Sequence, residues 1–276
     1  MQGYAVYDSE HEKTDYVRHT ARRGDILAVD FHVHTCLSPC GRSDMIPPSI
    51  DGAAIRAGLD VIAITDHNAS ENVAAVASAC EPELAVLGGM EITTAEEIHI
   101  LAICADIDTL TALQREVYEH LPGENDAARF GDQYIVDSEG YIVGSNTHLL
   151  SGATDLGIDE VAKLIRRYGR LAIACHIDRM SFSVISQLGF VPNNLELDAI
   201  EVSKAAGEEY FEADRYPFPI ITGSDAHEPC AVGASRTIFT PRPEVDRSPF
   251  QYIEAALKSM KNGCSGDAVR TYCVTN

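Results

Sequence analysis

Positive charge is scarce in this sequence. Lys and Arg number 21 against 42 Asp and Glu, a net charge of −21 and a pI near 4.7. No Lys/Arg-rich block offsets the excess, so the chain repels nucleic-acid backbones at long range, and nucleic acid is not expected as a partner. Metal ions would relieve part of that negative field at a site that held them. A run of roughly 18 apolar residues is also missing, so no membrane span is expected. The first residues, Met1-Gln2-Gly3-Tyr4, lead into acidic ones and not into a basic and then apolar segment. A secretory signal is therefore not expected, and a cytoplasmic location is. Without an export signal the eight cysteines need no disulfide framework. Cys80, Cys104 and Cys175 lie in apolar runs and read as buried free thiols. No repeat, low-complexity tract or convincing linker interrupts the chain.

What is present is a rhythm. The hydrophobic fraction of 45% supports a full core, and 276 residues suit one large α/β domain. Strands are expected at 26–29, 61–64, 84–87, 98–103, 171–175, 198–202 and 219–222. Helices are expected at 49–57, 71–80, 109–120, 157–168, 181–188, 205–213 and 249–261. Short loops join them, which implies βα units and a parallel sheet of about seven strands. Residues 1–25 form a polar lead-in, the core runs from about 28 to 235, and 249–276 holds a last helix and tail. Between about 122 and 156 the rhythm breaks. There Gln133–Val136 and Tyr141–Val143, joined by Asp137-Ser138-Glu139-Gly140, suggest a hairpin inside an insertion.

Several of these strands empty into metal-binding side chains. Asp30-Phe31-His32-Val33-His34-Thr35 follows the first, Asp66-His67 the second, Cys175-His176 the fifth and Asp225-Ala226-His227 the last. Residues two apart on a strand point the same way, so His32 and His34 can present both imidazoles to one ion, and Asp225 and His227 repeat the spacing. Two imidazoles, a distant carboxylate and another His or Asp suit Zn, Mn or Fe. His67 reads as a ligand, and Asp66 either ligates or holds a neighbouring imidazole in its tautomer. Glu91 follows the Gly88-Gly89 pair, where a carboxylate could bridge two metals. His99 opens a strand instead of closing one, while His176 ends one. Cys40 is near the first strand tip, where its thiolate could ligate. Arg179, three residues past His176, offers a planar fork to phosphate oxygens. Together these imply a metallohydrolase site at the C-terminal mouth of a parallel sheet or barrel.

Four motifs in order, Asp30-Phe31-His32-Val33-His34-Thr35-Cys36-Leu37-Ser38, Ile64-Thr65-Asp66-His67-Asn68, Gly89-Met90-Glu91 and Gly223-Ser224-Asp225-Ala226-His227, closely resemble the PHP family (polymerase and histidinol phosphatase). The resemblance implies a single PHP-like metallohydrolase domain, with an α/β fold that is a distorted, TIM-like (β/α)7 barrel. It also implies two or three divalent ions, Zn, Mn or Fe. His32, His34, Glu91 and Asp225 would surround one metal. Glu91 would bridge to a second held by His99 and His176, and His67 and His227 would serve a third. Family members usually add a His or Asp to the third from the loop after the first motif. Here that loop offers only Cys40 or Asp44. Ile177 stands where the family often has Pro, with Arg179 following.

The expected function is a metal-dependent phosphoesterase acting on small phosphorylated metabolites of nucleotide or sugar-phosphate type. A metal-bound hydroxide would attack phosphorus in line, with Arg179 stabilising the growing charge. Either His227 or a metal-bound water would protonate the leaving oxygen. A 5'-3' exonuclease-like activity, a C–N or lactone hydrolase, and an inactive regulatory PHP module are the alternatives.

Overall fold

The apolar runs form strands because their β-branched residues stack on a pleated surface, and the strands are closed at their ends by turns. The computed structural model describes residues 26–80, 82, 84–206, 210, 215–240, 248–261 and 270–273. The 1–25 lead-in, most of the helix expected at 205–213 and most of the tail lie outside them. The strands are β1 (Leu27–Val33), β2 (Val61–Ile64), β3 (Ala85–Thr93), β4 (His99–Cys104), β5 (Tyr134–Val136), β6 (Ile142–Ser145), β7 (Leu171–Ala174), β8 (Ala199–Glu201), β9 (Ile220–Ile221), β10 (Ser235–Phe239) and β11 (Arg270–Cys273). Between them run α1 (Pro47–Ala57), α2 (Val73–Ala79), α3 (Ile107–Glu119), α4 (Ala127–Phe130), α5 (Ile158–Arg167), α6 (Val184–Leu188) and α7 (Pro249–Lys261). The first helix starts two residues before the expected Ser49, because Pro47 and Pro48 are preset for a first turn.

Nine strands make one sheet in the order β11-β10-β1-β2-β3-β4-β7-β8-β9. It curls back on itself: beyond β9 the chain meets β1 through a parallel bridge between Ala226 and Val33. His34 N–H donates to Ala226 O at 3.0 Å, and Ala226 N–H donates to His32 O at 3.1 Å. The result is a distorted TIM-like barrel. Strands β1 to β3 and β7 to β9 are parallel, whereas β4 runs antiparallel to both its neighbours, β3 and β7. That reversal explains His99. A residue that opens an antiparallel strand lies at the same end as residues that close the parallel ones.

Alternation along the strands sorts the core into two layers. Leu27, Val29, Phe31, Val61, Ala63, Ala85, Leu87, Leu101, Ile103, Leu171, Ile173, Ala199 and Ile221 form one cluster, with Phe250, Ile253, Ala256 and Leu257 of α7 packed into it. This is the barrel's inner column. The opposite residues, Ile62, Ile64, Val86, Ala102 and Ala172 among them, pack outward against α1, α2, α3 and α5. The inner parity, continued to the mouth, selects His67, Glu91, His99, Glu201 and Asp225. In β1 the register slips between Asp30 and Val33. One slipped residue exchanges the two faces of a strand, so His32 and His34 turn inward although Leu27, Val29 and Phe31 set the opposite parity.

The insertion holds α4 and the antiparallel β5–β6 hairpin, at the expected place. Buried Gln133 ties it together, accepting from Leu150 N and donating to Asn146 O and His148 O. Asn72 fastens it to the barrel: its amide donates to Tyr134 O and Thr35 Oγ1, and its oxygen accepts from Val136 N.

Candidate metal centre

At the mouth the inner columns converge on Glu91, which is almost wholly buried. Five imidazoles approach its carboxylate: His99 Nδ1 at 2.7 Å, His67 Nδ1 at 3.0 Å, His176 Nε2 at 3.2 Å, His32 Nε2 at 3.3 Å and His34 Nε2 at 3.4 Å. Asp225 Oδ1 closes the other side, 3.0 Å from His34 Nε2 and 3.3 Å from His32 Nε2. Two of these residues sit in the left-handed backbone region, His176 at φ +27° and Asp225 at φ +49°. Such conformations persist where surrounding structure holds a side chain in place for a task.

Two of these contacts are hydrogen bonds, His34 Nε2 with Asp225 Oδ1 and His176 Nε2 with Glu91 Oε1, and the others are close but not aligned for one. His32 Nε2, His67 Nδ1, His99 Nδ1 and Glu91 Oε2 are buried with no hydrogen-bond partner. Orphaned buried polar atoms are costly. Here they face a common space, and divalent cations would satisfy them. Four-ligand and three-ligand groupings fit this: His32, His34, Glu91 and Asp225; His67, Glu91 and His99; His34, His67 and His227; Glu91, Cys175 and His176. The donor set of imidazoles and carboxylates matches Zn, Mn or Fe.

Charge follows the same geometry. Burial alone would lower His32, but the carboxylates of Glu201, Glu91 and Asp225 hold it well above the usual imidazole range. Burial would raise Glu91, but His99, His32 and His67 hold it well below the usual carboxylate range. His67 is pushed well down, chiefly by burial. Burial and then the nearby His34 lower His227 to about 4, so its imidazole is neutral at neutral pH, the form that ligates. The tautomer of His227 is set by Nδ1, 2.9 Å from the Asp225 carbonyl, to which it donates.

The remaining candidates divide. Asp66 lies behind the cluster: it accepts from Thr35 N and Ser38 Oγ with one oxygen and from Thr35 Oγ1 with the other. Ser38 Oγ then sits 2.9 Å from His34 Nδ1, so Asp66 reaches His34 through a hydroxyl. Arg179 Nη1 is 2.5 Å from Asp225 Oδ2, while Asp178 is taken by Ser203 N and Oγ. Arg179 therefore stands over the centre and lines a cavity of about 260 Å³ with His176, Met180, Ser203, Lys204 and Asp225. Cys40 is exposed and, among the described residues, joins none of the ligand groupings. Asp44 is engaged by Arg42 in an exposed pair. His148 stacks on Tyr118 at 4.0 Å and is in none of the groupings.

Sequence reasoning missed Glu201, whose carboxylate lies against His32 Nδ1 at 2.9 and 3.2 Å. The signal was a Glu two residues past Ala199 in an apolar strand. It also passed over Asn68, which stands at φ +52° beside His67. The Asn68 amide donates to Leu150 O and Gly152 O, and its oxygen accepts from Thr93 N, linking insertion, centre and β3.

Residues 208–251 match a family of PHP-associated sequences. No curated protein matches significantly. Among solved structures, the lesion-specific endonuclease Q of Pyrococcus furiosus is similar, with a TM-score of 0.66 and 17% identity over 88% of this chain and 57% of that one. Endonuclease Q in complex with a 27-mer duplex carrying an abasic lesion gives 0.62 and 17%, over 88% and 58%. A two-domain Bacteroides vulgatus protein containing a predicted PHP-like metal-dependent phosphoesterase gives 0.52 and 16%, over 95% and 69%. This chain thus spans under three-fifths of the endonuclease chains, and at these identities the likeness is one of fold. It nonetheless overturns the expectation that nucleic acid is not a partner, since a structure so similar holds DNA. The physical reason is that net charge describes the far field, whereas binding at a mouth depends on the local one, here shaped by Arg179 and Lys204 in the cavity lining and by any cation the cluster would hold.

Proposed function

We propose that this chain is a PHP-family metal-dependent phosphoesterase, acting as one PHP-like domain, whose centre is the cluster around Glu91. The observation that carries this reading is the convergence of five imidazoles on one buried carboxylate, three of them (His32, His67 and His99) with the facing nitrogen lacking a hydrogen-bond partner. His32, His34, Glu91 and Asp225 would hold one ion, Glu91 with His99 and His176 a second, and His67 with His227 a third. Divalent ions bound there would supply the charge that acidifies water and offsets phosphate oxygens.

The chain's own groups do the rest. Arg179 offers its fork to the phosphate from the rim, exchanging Asp225 for substrate oxygens. Asp66 and Ser38 keep His34 Nδ1 engaged, so that Nε2 faces the centre. The Nδ1 of His227 is committed to the Asp225 carbonyl, so its Nε2 serves as a lone-pair donor, which favours water as the proton source for the leaving oxygen. Small phosphorylated metabolites are the favoured substrates, since the cavity of about 260 Å³ beside Arg179 matches a compact molecule. A second reading, cleavage of a DNA phosphodiester, is favoured by the likeness to endonuclease Q.

Elemental analysis after exhaustive dialysis should find about two to three equivalents of transition metal. Less than one equivalent, with no gain on adding Mn or Zn, would sink the assignment. A panel of nucleotides, sugar phosphates, activated phosphodiesters, DNA, amides and lactones then tests the reaction. Phosphate ester turnover is expected. DNA cleaved ahead of every small phosphate would promote the second reading, and amide or lactone hydrolysis with no phosphate release would overturn the class.

A further inference from the structure

Glu201 is a third buried carboxylate at the centre, and the function proposed above gives it no task. It ends β8 on the inner parity, 169 residues from His32 in sequence, and is 1% exposed. Both its oxygens lie near His32 Nδ1, at 2.9 and 3.2 Å, its closest charged contact among the described residues, while Arg179 across the same cavity senses its charge. Two hydrogen-bond acceptors cannot face one another in a buried space, so Nδ1 must carry the proton and donate it to Glu201. The other nitrogen, Nε2, is aimed at the gap between Glu91 Oε1 and Asp225 Oδ1, 3.3 Å from each, and would present its lone pair there once a cation replaced its proton.

The neighbourhood is shaped for this contact. Gly223 packs so close that a Cβ there would lie 2.7 Å from Glu201 Oε1 and 2.8 Å from His32 Cβ. Any larger residue would drive the carboxylate and imidazole apart. Ile177 N–H donates to Glu201 O at 2.9 Å, which ties the same residue to the turn carrying His176.

We propose that Glu201 is the positioning residue of the centre: it fixes the tautomer and orientation of His32 and raises its strength as a metal ligand without itself touching the metal. The inference rests on the metal-centre reading above. A carboxylate behind a ligating imidazole typically accounts for 10–100-fold in metal affinity.

The test is metal affinity, measured by chelator competition on purified full-length protein with Zn, Mn and Co, beside the thermal midpoint of the metal-free form. Glu201→Ala should bind one equivalent about 10–100-fold more weakly while total stoichiometry at saturation stays that of the wild type. The visible bands of the Co-loaded protein should shift. Glu201→Gln, which keeps the shape and an acceptor oxygen but no charge, should fall between Ala and wild type. It also decides the matter if the Ala variant does not fold. Wild-type affinity in both variants, or in Gln alone should Ala not fold, would overturn the proposal. So would loss of a whole equivalent at saturating metal, because Glu201 would then be a ligand together with Cys175 and His32, which lie within reach of it. A wild-type protein that takes up no metal would instead remove the reading on which the inference stands.

Discussion

Asn68 offers the sharpest test of how the insertion and the metal centre are joined. Its side chain makes three hydrogen bonds: to Leu150 O and Gly152 O at 2.9 Å each, and from Thr93 N at 3.0 Å. Its backbone stands at φ +52°, a region that Asn tolerates and Ala does not. Asn68→Ala removes all three bonds and strands buried backbone groups. At about 1 kcal/mol per bond, with more for each group left unpaired, the loss is roughly 3–5 kcal/mol. Strain at a positive φ adds about 1 kcal/mol. Asn68→Gly loses the same bonds but relieves the strain, so Gly should be the milder substitution by about 1 kcal/mol, the reverse of the order at an ordinary position. Thermal unfolding of the metal-free protein should fall by roughly 2–4 °C for each kcal/mol. A cost under about 1 kcal/mol for Ala, or a larger cost for Gly than for Ala, would refute the reasoning.

Three further outcomes follow from the site. Arg179→Ala should lower kcat/KM for a phosphorylated substrate by about one to three orders of magnitude, roughly 1.4 kcal/mol per tenfold, with metal content unchanged; a loss of metal would recast Arg179 as a support for Asp225. His227, lowered in the fold to about 4 from 6.5 in the open chain, contributes stability that is present above pH 6.5 and lost as pH falls toward 4. Urea titrations of metal-free protein should therefore show about 2 kcal/mol less stability at pH 5 than at pH 7 from this group, and His227→Gln should flatten the slope; an unchanged slope would assign it elsewhere. Cys40→Ser and His148→Ala should both leave the metal count as in the wild type, whereas His32→Ala should lower it, and equal losses in all three would show the centre to be wrongly drawn.

Much of the site is legible in the chain because its logic is local. A strand has a period of two, so His-Val-His and Asp-Ala-His each announce paired side chains on one face, and an apolar run ending in Asp-His announces a strand tip. The insertion shows itself for the same reason, as turn residues between two short apolar stretches. Net charge is also local arithmetic, and it misled: a sum of −21 says nothing of where the field is felt.

Whatever depends on residues far apart in sequence was decided by the tertiary structure alone. The reversed direction of β4 brings His99 to the mouth, and it is a property of pairing with β3 and β7. The slip in β1 that turns His32 and His34 inward arises against β2, not within β1. Glu201 meets His32 across 169 residues, and Asn68 meets the insertion across more than 80. Arg179 finds Asp225, not the adjacent Asp178, because Ser203 has already taken Asp178. The sequence by itself determined which side chains could serve a metal, since that follows from chemistry and strand period. Only the closed barrel decided which of them share one, because hydrogen bonds and ligand sets form between strands whose register is set by packing.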